Sequence, residues 1–261
     1  MKKNIPDWHS LYNLLIFEET DSTNEEAKRI ASNSPKGNYV VWAKKQTHGK
    51  GRNGRKWVSE AGNLFVSVLM HPYDIKFAAY LPFIISLSVG EVLAKYIPKD
   101  DIKYKWPNDV LIGGKKIAGI LIETKVNNHS FMFDWLIAGI GINLNSSPSN
   151  MPYPTTNLKK ESKLSSFPIE EIIDEFMTIF LAKIDFCGEE GFKEIRRLWL
   201  DQAFGLGQVI TVSTANNRIS GKFENINESG AIELRLANGD LTIVSSGEVF
   251  FEKPHKLFNS F

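Results

Sequence analysis

Cysteine is nearly absent from this sequence of 261 residues. The single one, Cys187, can form neither an intrachain disulfide nor a cysteine-ligated zinc site, which is typical of a reducing compartment. The five histidines have no mutual spacing suited to a metal, so no structural metal is expected. The 31 lysines and arginines almost balance the 30 aspartates and glutamates, whereas a dedicated nucleic-acid binder usually carries a strongly basic domain.

Long hydrophobic runs are also missing. The most apolar stretch, residues 81–97, is interrupted by Ser86, Ser88, Glu91 and Lys95, whereas a membrane-spanning helix needs about 20 mostly apolar residues. The first residues are polar where a signal peptide would need its apolar region. We therefore expect a cytoplasmic protein that does not enter a membrane.

Hydrophobic residues make up 43% and charged residues 23% of the sequence, ordinary values that exclude disorder. Periodicity and turn signals predict helices and strands up to about residue 204. The predicted helices cover residues 22–33, 77–96, 169–185 and 190–202. The predicted strands cover residues 39–43, 64–70, 102–106, 116–125 and 131–142, with turns at 34–37 and 127–129. Ser22 and Glu25 have the spacing of a capping box at the first helix.

The pattern changes near residue 204. From there to residue 252 only short alternating runs occur, separated by turn signals such as Asn238-Gly239. The predicted strands are residues 208–213, 218–225, 231–236 and 241–244. About 50 residues of regularly spaced hairpins predict a small β-barrel. The chain is therefore predicted to divide into domains 1–204 and 205–261.

One segment between the first two strands, residues 44–57, carries six cations and no acid. The cations are Lys44, Lys45, Lys50, Arg52, Arg55 and Lys56. Gly49, Gly51 and Gly54 let backbone N–H groups approach an anion, and arginine offers a planar fork to phosphate or carboxylate. The segment is interpreted as a loop that binds a nucleotide phosphate, although charge alone fits a solvated hairpin tip or a polyanion patch equally well.

The spacing Gly49-x-Gly51-x-x-Gly54 also matches the dinucleotide-binding string. That motif works only where a helix follows and directs its N-terminus at the pyrophosphate. Here the next predicted element is the apolar strand 64–70, so a flavin or nicotinamide enzyme is not expected.

Polar residues and glycines at the ends of later strands are further candidates. In the string Lys-Trp-Pro-Asn-Asp at 105–109, Asn108 and Asp109 stand at the end of a strand. Asp109 could orient a ribose or a metal or help to accept a proton from an amine, although on these residues alone an ordinary turn is the preferred explanation. Lys116 could point at an anion or snorkel at a strand end. The glycines of residues 138–144 fit a bulge, the close approach of a ligand, or plain packing.

Together these segments resemble the biotin–protein ligase family, which includes the biotin–[acetyl-CoA-carboxylase] ligases. The resemblance rests on Asp21-Ser22-Thr23-Asn24, Gly-Lys-Gly-Arg-Asn-Gly-Arg-Lys-Trp at 49–57, Lys-Trp-Pro-Asn-Asp at 105–109, Lys-Ile-Ala-Gly-Ile-Leu at 116–121 and Gly-Ile-Gly-Ile-Asn at 139–143. It implies an α+β fold, like that of class II synthetases, in which helices cover a mixed, largely antiparallel sheet. It also implies a small C-terminal β-barrel that ends in a Gly-Glu pair, like Gly247-Glu248 here.

The resemblance implies a two-step reaction with biotin and ATP with Mg²⁺ as substrates. The carboxylate of biotin attacks the α-phosphate and gives biotinyl-5′-AMP and pyrophosphate. A lysine of a biotin carboxyl carrier domain, the implied partner, then takes the biotinyl group and releases AMP. The first step brings two anions together, so cations must offset their charge.

The resemblance also implies site residues. Lys116 and Arg52 would be the catalytic cations, and Asp109 would assist deprotonation of the attacking lysine, whose free pKa is about 10.4. The implied biotin-binding residues are Ser22, Thr23, Asn24, Gln46, Gly49, Lys50, Gly51, Arg52, Lys116 and Gly119. The implied ATP-binding residues are Arg52, Arg55, Trp57, Asn108, Asp109, Lys116 and Asn143. No residue is assigned to a metal, and the loop 50–55 is expected to close over the adenylate and exclude water.

Two departures from the family pattern narrow these expectations. Lys50 stands where the family loop usually has arginine, which keeps the charge and loses the bidentate fork. Only about 20 residues precede Ser22, whereas bifunctional members carry a DNA-binding winged helix-turn-helix of about 60 residues or more. A monofunctional ligase that binds no DNA is therefore expected. The family includes monomers and dimers, which leaves a homodimer open.

Two rival functions compete with biotin ligation. A lipoate–protein ligase or octanoyltransferase shares the overall fold, although the glycine-arginine loop and the Lys-Trp-Pro-Asn-Asp string favour biotin. An RNA-binding module would use residues 44–57 with Trp42 and Trp57 as stacking platforms. The near-neutral net charge and the absence of a second basic and aromatic stripe disfavour that module.

Overall fold

A computed structural model of the protein describes residues 7–33, 37–71, 75–127 and 132–251. The helices are α1 (Thr23–Asn33), α2 (Ile75–Leu93), α3 (Leu158–Ser162), α4 (Ile169–Glu190) and α5 (Phe192–Leu200). The strands are β1 (Asn13–Phe17), β2 (Tyr39–Ala43), β3 (Leu64–Met70), β4 (Ile102–Lys105), β5 (Asp109–Ile112), β6 (Lys115–Val126), β7 (Phe133–Ile142), β8 (Val209–Ser213), β9 (Arg218–Ile226), β10 (Ile232–Arg235), β11 (Leu241–Val244) and β12 (Glu248–Phe251). The turns predicted at 34–36 and 128–129 lie outside the described residues.

The larger sheet has seven strands in the order β1-β2-β3-β7-β6-β5-β4. Only β1 and β2 run parallel, and every other neighbouring pair is antiparallel. The predicted class, α+β with a mixed and largely antiparallel sheet, is confirmed. The interior strand β3 is buried at all seven of its positions, as a nearly continuous apolar run predicts for a strand covered on both faces.

Alternation along the strands directs side chains to two separate helical layers. Val41, Leu69 and Ile137 pack with Ala27 and Ala31 of α1 on one face. The side chains between them in sequence point to the other face and join the main core with α2, α4 and α5. This arrangement places the first turn of α1 on the sheet face opposite the main core.

α2 is the most hydrophobic helix, and it packs in the main core rather than against lipid. Its buried hydroxyls, Ser86 and Ser88, donate to the carbonyls of Pro82 and Ile84 one turn earlier. This back-bonding lets the polar residues of the predicted helix 77–96 enter an apolar layer. Within the described part of the chain, no helix is both long and apolar enough to cross a bilayer.

The C-terminal strands form their own antiparallel sheet, in the order β11-β10-β9-β8-β12. The predicted small β-barrel corresponds to this five-stranded sheet, whose hydrogen bonds run from β11 to β12. The connection from the larger sheet is fixed at Phe204, whose backbone N–H donates to the Tyr104 carbonyl at 2.8 Å. The division into domains 1–204 and 205–261 stays a prediction.

Several predictions of local structure were wrong. β1, β5, α3 and β12 were not predicted, and the last helix was predicted from residue 190, which still belongs to α4. The capping box was also misassigned. The Glu25 carboxylate accepts hydrogen bonds from Lys28 and Lys50 rather than from the backbone at the start of α1, because two lysines are within its reach.

Candidate active site

One pocket brings together nearly all of the predicted site residues. It lies where the start of α1, the cationic loop, the β4–β5 connection, β6 and β7 meet the start of β12. The predicted residues that line it are Ser22, Thr23, Asn24, Gln46, Lys50, Gly51, Arg52, Arg55, Trp57, Asn108, Asp109, Lys116 and Gly119. Lys105, Trp106, Tyr153 and Glu248 also line it, although no role was predicted for them.

Two predicted residues lie beside the pocket rather than on its wall. A Cβ at Gly49 would stand 2.4 Å from Ser59 Oγ and 2.7 Å from the Trp57 carbonyl, so glycine there permits the loop to fold back on itself. Asn143 is buried and its amide donates to the Thr156 carbonyl at 3.1 Å. It borders a smaller neighbouring pocket, and the binding roles predicted for Gly49 and Asn143 stay predictions.

Uncharged polar side chains form one end of the pocket, and their hydrogen bonds fix which groups donate. Ser67 Oγ lies 2.5 Å from Asn24 Oδ1 and 2.7 Å from Thr23 Oγ1. A carbonyl oxygen only accepts, so Ser67 donates its single hydrogen to Asn24. The Thr23 hydroxyl must then donate to Ser67, or to Gln46 Oε1 at 3.1 Å. In either case Thr23 offers only lone pairs to a ligand.

The amides of this polar end are held in one orientation each. Asn24 Nδ2 donates to Glu123 at 2.8 Å, and the same carboxylate accepts from Lys28 at 2.7 Å. Gln46 Oε1 accepts from the Thr23 backbone N–H at 2.8 Å, while Gln46 Nε2 donates to Ser59 at 2.9 Å. Donor and acceptor positions are therefore set before a ligand arrives.

Sequence reasoning missed the supporting residues of this end, Ser59, Ser67 and Glu123. The sequence could have indicated Ser67, since it is the only polar residue in the buried strand β3. It could not have indicated Glu123, because its partner Asn24 is 99 residues away in the chain.

Cations occupy the other end of the pocket. The Arg52 guanidinium donates to Asn108 Oδ1 and to the Gly247 carbonyl, both at 3.2 Å. Burial lowers the pKa of Arg52 from its usual value, and the field of Asp109 only partly compensates. Arg55 pairs with Glu248. Lys50 lies instead beside the polar end, because its Nζ is 2.8 Å from the Glu25 carboxylate, which Lys28 joins to Glu123. The two neighbouring lysines lower the pKa of Glu25.

Lys116 and Asp109 form an ion pair with 2.6 Å between Nζ and Oδ1, and both side chains are largely buried. The angles at this contact fall outside hydrogen-bond geometry, so Asp109 Oδ1 has an ionic partner and no hydrogen bond. The two residues meet because β5 and β6 form a hairpin. Lys116 Nζ also lies 5.2 Å from the centre of a Trp57 ring and 5.4 Å from that of Tyr153, a cation–π distance.

The strand glycines make room for side chains that approach the sheet closely. A Cβ at Gly139 would lie 2.2 Å from Asn24 Oδ1, and one at Gly141 would lie 2.5 Å from the Trp57 ring. Pairing of β6 with β7 is regular at both positions. Of the alternatives left open by the sequence, packing of side chains against the strand therefore explains both glycines, and a bulge does not.

Metal ligands are sparse here. Across the described residues, no three His, Cys, Asp or Glu side chains are grouped so that they could hold a metal ion. Magnesium is accordingly treated below as part of the nucleotide substrate.

Comparison with known proteins gives family matches over both sheets. Residues 16–143 match the Biotin/lipoate A/B protein ligase family, and residues 205–252 match the Biotin protein ligase C terminal domain. The biotin–[acetyl-CoA-carboxylase] ligase of Paracoccus denitrificans is 34% identical over 243 residues, which cover 90% of this chain and 99% of that protein. The bifunctional ligase/repressor BirA of Bacillus subtilis strain 168 is 30% identical, with coverage of 89% of this chain and 72% of its own.

A solved structure shares the fold. The biotin protein ligase from Aquifex aeolicus in complex with biotin and ATP is 28% identical and superposes with a TM-score of 0.76. The superposition covers 91% of this chain and 97% of that one.

Proposed function

The chain belongs to the biotin/lipoate A/B protein ligase family and is a biotin ligase that uses ATP, and we propose that the pocket described above carries out both steps of the reaction. The observation that supports this most strongly is the pairing of an uncharged polar end with a cationic end in one pocket. The ureido head of biotin needs neutral donors and acceptors, whereas its carboxylate and the triphosphate need cations.

The polar end is assigned to the ureido head. Thr23 offers lone pairs only, so it accepts from a ureido N–H, and the remaining amide hydrogens of Asn24 and Gln46 are available to a carbonyl oxygen. Ser22 lines the same end and adds a hydroxyl. Because these groups are held by Ser67, Ser59 and Glu123, binding costs little reorganisation.

The cationic end is assigned to the first step. A carboxylate oxygen of biotin forms a bond to the α-phosphorus, the bond from phosphorus to the bridging oxygen breaks, and pyrophosphate leaves with the electron pair. Lys116 and Arg52 offset the charge of the meeting anions. Lys116 must exchange Asp109 for the nucleotide, whereas Arg52 gives up only neutral partners.

The cationic loop is assigned a second task, to exclude water from the adenylate. Lys50 and Arg55 lie on it, and both are paired with carboxylates outside the loop, Glu25 and Glu248. We expect these contacts to be exchanged for phosphate contacts when the loop closes. Hydrogen exchange over residues 48–57 should then be slower with biotin and ATP than without them, and equal protection in both states would contradict closure.

Asp109 is assigned to the second step. The attacking lysine of the carrier is protonated at neutral pH, and it must lose a proton before it attacks the acyl carbon of the adenylate. Once ATP has taken Lys116, the Asp109 carboxylate is free to accept that proton. The amine then forms an amide bond to the biotinyl group, and AMP leaves.

The acceptor is proposed to be the biotin carboxyl carrier domain of a biotin-dependent carboxylase, on the strength of the 34%-identical relative named for that substrate. The relatives reported above include proteins named as biotin ligases, which favours biotin over lipoate as the substrate. Cytoplasmic location, the absence of DNA binding, the state of association and the domain boundary near residue 204 stay predictions.

The test is to incubate the protein with a carrier domain, MgATP and either biotin or lipoate, and to measure the mass of the carrier. We expect one biotinyl group on one lysine with biotin, and no gain with lipoate. A carrier whose target lysine is replaced by arginine is the matched control. A lipoyl adduct, or an unmodified carrier in both reactions, would overturn the proposal.

A further inference from the structure

The cations around the pocket differ in what they already contact. Lys116, Arg55 and Lys50 are each paired with a carboxylate. Lys105 is different: in the part of the chain that the structure describes, its ammonium has no carboxylate within ion-pair distance. Its nearest recorded partner is the Phe251 ring, with 5.7 Å from Nζ to the ring centre.

Lys105 is also poorly hydrated for a lysine. It is the last residue of β4, and it is only partly exposed. Burial lowers the pKa of Lys105, and the field of Asp109 only partly compensates. An unpaired, partly desolvated ammonium costs folding free energy, so an anion supplied from solution would stabilise it. Lys56 also lines the pocket, but it is exposed and therefore hydrated.

The position of Lys105 narrows the identity of this anion. Lys105 lies on the wall that the pocket shares with a neighbouring groove, which runs along β12 towards residues 152–154. Arg55, Lys116, Asp109 and Glu248 border the same junction, and each of the two carboxylates is already paired with one of these cations. A nucleotide whose α-phosphate lies at Lys116 has its β- and γ-phosphates one and two phosphoanhydride links further on, and the junction is the space next to Lys116 that holds further cations.

We propose that Lys105 binds the β- and γ-phosphates of ATP, and then the pyrophosphate formed from them, at the junction of pocket and groove. The inference rests on the proposed function and adds a leaving-group site to it. When the bond between the α-phosphorus and the bridging oxygen breaks, the electron pair remains on that oxygen as part of pyrophosphate. The Lys105 ammonium offsets the developing charge, and Arg55 joins it on release from Glu248.

Separate assays of the two half-reactions distinguish pyrophosphate binding by Lys105 from a contact with the carrier or a purely structural role. Lys105→Met removes the charge and keeps the length of the side chain, and Lys105→Arg restores a charge. Lys103→Met is the matched control, since Lys103 lies two residues earlier on the same strand and outside the pocket. The measurements are biotin-dependent exchange of pyrophosphate into ATP, inhibition of adenylate formation by inorganic pyrophosphate, and transfer to the carrier from preformed biotinyl-5′-AMP.

For Lys105→Met we expect exchange to fall by about tenfold to a hundredfold, the effect of losing one hydrogen bond to a charged group. The pyrophosphate concentration for half-inhibition should rise by about tenfold. Transfer from preformed adenylate should remain within about twofold, and Lys105→Arg should recover most of the exchange. Lys103→Met should match the parent in all three measurements. Biotin affinity, measured by calorimetry without ATP, should be unchanged if the fold is intact.

Unchanged exchange and unchanged pyrophosphate inhibition in Lys105→Met would overturn the inference. So would an equal loss in both half-reactions, because that pattern indicates a contact with the carrier or a purely structural role. If the parent protein itself forms no biotinyl-5′-AMP, the proposed function fails instead, so the two failures are distinguishable.

Discussion

Lys116 Nζ lies 2.6 Å from Asp109 Oδ1, so the cation assigned to the first step and the carboxylate assigned to the second step neutralise each other. The pairing implies an order of events. A nucleotide that takes Lys116 releases Asp109, and the carboxylate then becomes available to the carrier lysine. With the proposed roles, the pocket would not act on an amine before the adenylate exists.

Asp109→Asn is expected to separate the two steps. The amide keeps the shape of the side chain but cannot accept the proton of the carrier lysine, so transfer from preformed biotinyl-5′-AMP should slow by about a hundredfold. Adenylate formation should change far less, since Lys116 keeps its charge. Both rates are measured in single-turnover experiments. A variant that transfers biotin at the parental rate would remove Asp109 from the second step.

Arg52→Gly is expected to weaken retention of the adenylate. Arg52 joins the loop to Asn108 and to the Gly247 carbonyl, so its loss should loosen the closure of the pocket as well as remove a cation. Free biotinyl-5′-AMP should then be released and label lysines of bystander proteins. The check is mass spectrometry of a mixture of the carrier with an unrelated protein. Labelling restricted to the carrier would show that Arg52 has no part in retention.

Gly141→Ala tests the close approach of Trp57 to the sheet. A methyl group there would lie 2.5 Å from the ring, so the ring must move, at a cost of about 1–3 kcal/mol of unfolding free energy. The ring also faces Lys116, so KM for ATP and for biotin should both rise. Gly188→Ala in α4 is the control. Nothing lies within 4 Å of a Cβ there, and alanine should stabilise the helix by up to about 1 kcal/mol. Equal effects of the two substitutions on KM would contradict this role of Gly141.

Glu123 is expected to act on biotin through Asn24. Glu123→Leu removes the acceptor that orients the Asn24 amide, so KM for biotin should rise by about tenfold, the value of one hydrogen bond to a charged group. KM for ATP and kcat should change little. Glu123→Gln keeps an acceptor oxygen at the same reach and should recover most of the affinity. The check is steady-state kinetics with each substrate varied in turn. Parallel changes in both KM values for Glu123→Leu would contradict a role for Glu123 through Asn24.

Local patterns predicted much of the fold. β2 and β3 begin and end at the predicted residues, because a continuous run of β-branched and aromatic side chains fits a central strand and little else. The predicted site residues converge because they stand at the ends of neighbouring strands and in the loops between them. Their identification depended on the combination of strings, since each string alone had an ordinary structural explanation.

Long-range pairing accounts for most of what could not be predicted. β1 joins the sheet as a parallel edge strand beside β2, and β12 pairs with β8 more than thirty positions earlier. Arg55 and Glu248 are separated by 193 residues. Glu25 has helix-capping spacing, yet it pairs with Lys50, because the folded chain brings a lysine to it. No pattern within a short window contains these contacts.

The most direct test of the proposed active site is a crystal structure of the protein with biotin and a non-hydrolysable ATP analogue. It should place the biotin carboxylate and the α-phosphate against each other between Lys116 and Arg52, with the ureido head at Thr23. A structure in which either ligand binds outside this pocket, away from the Arg52 loop, would contradict the proposed active site.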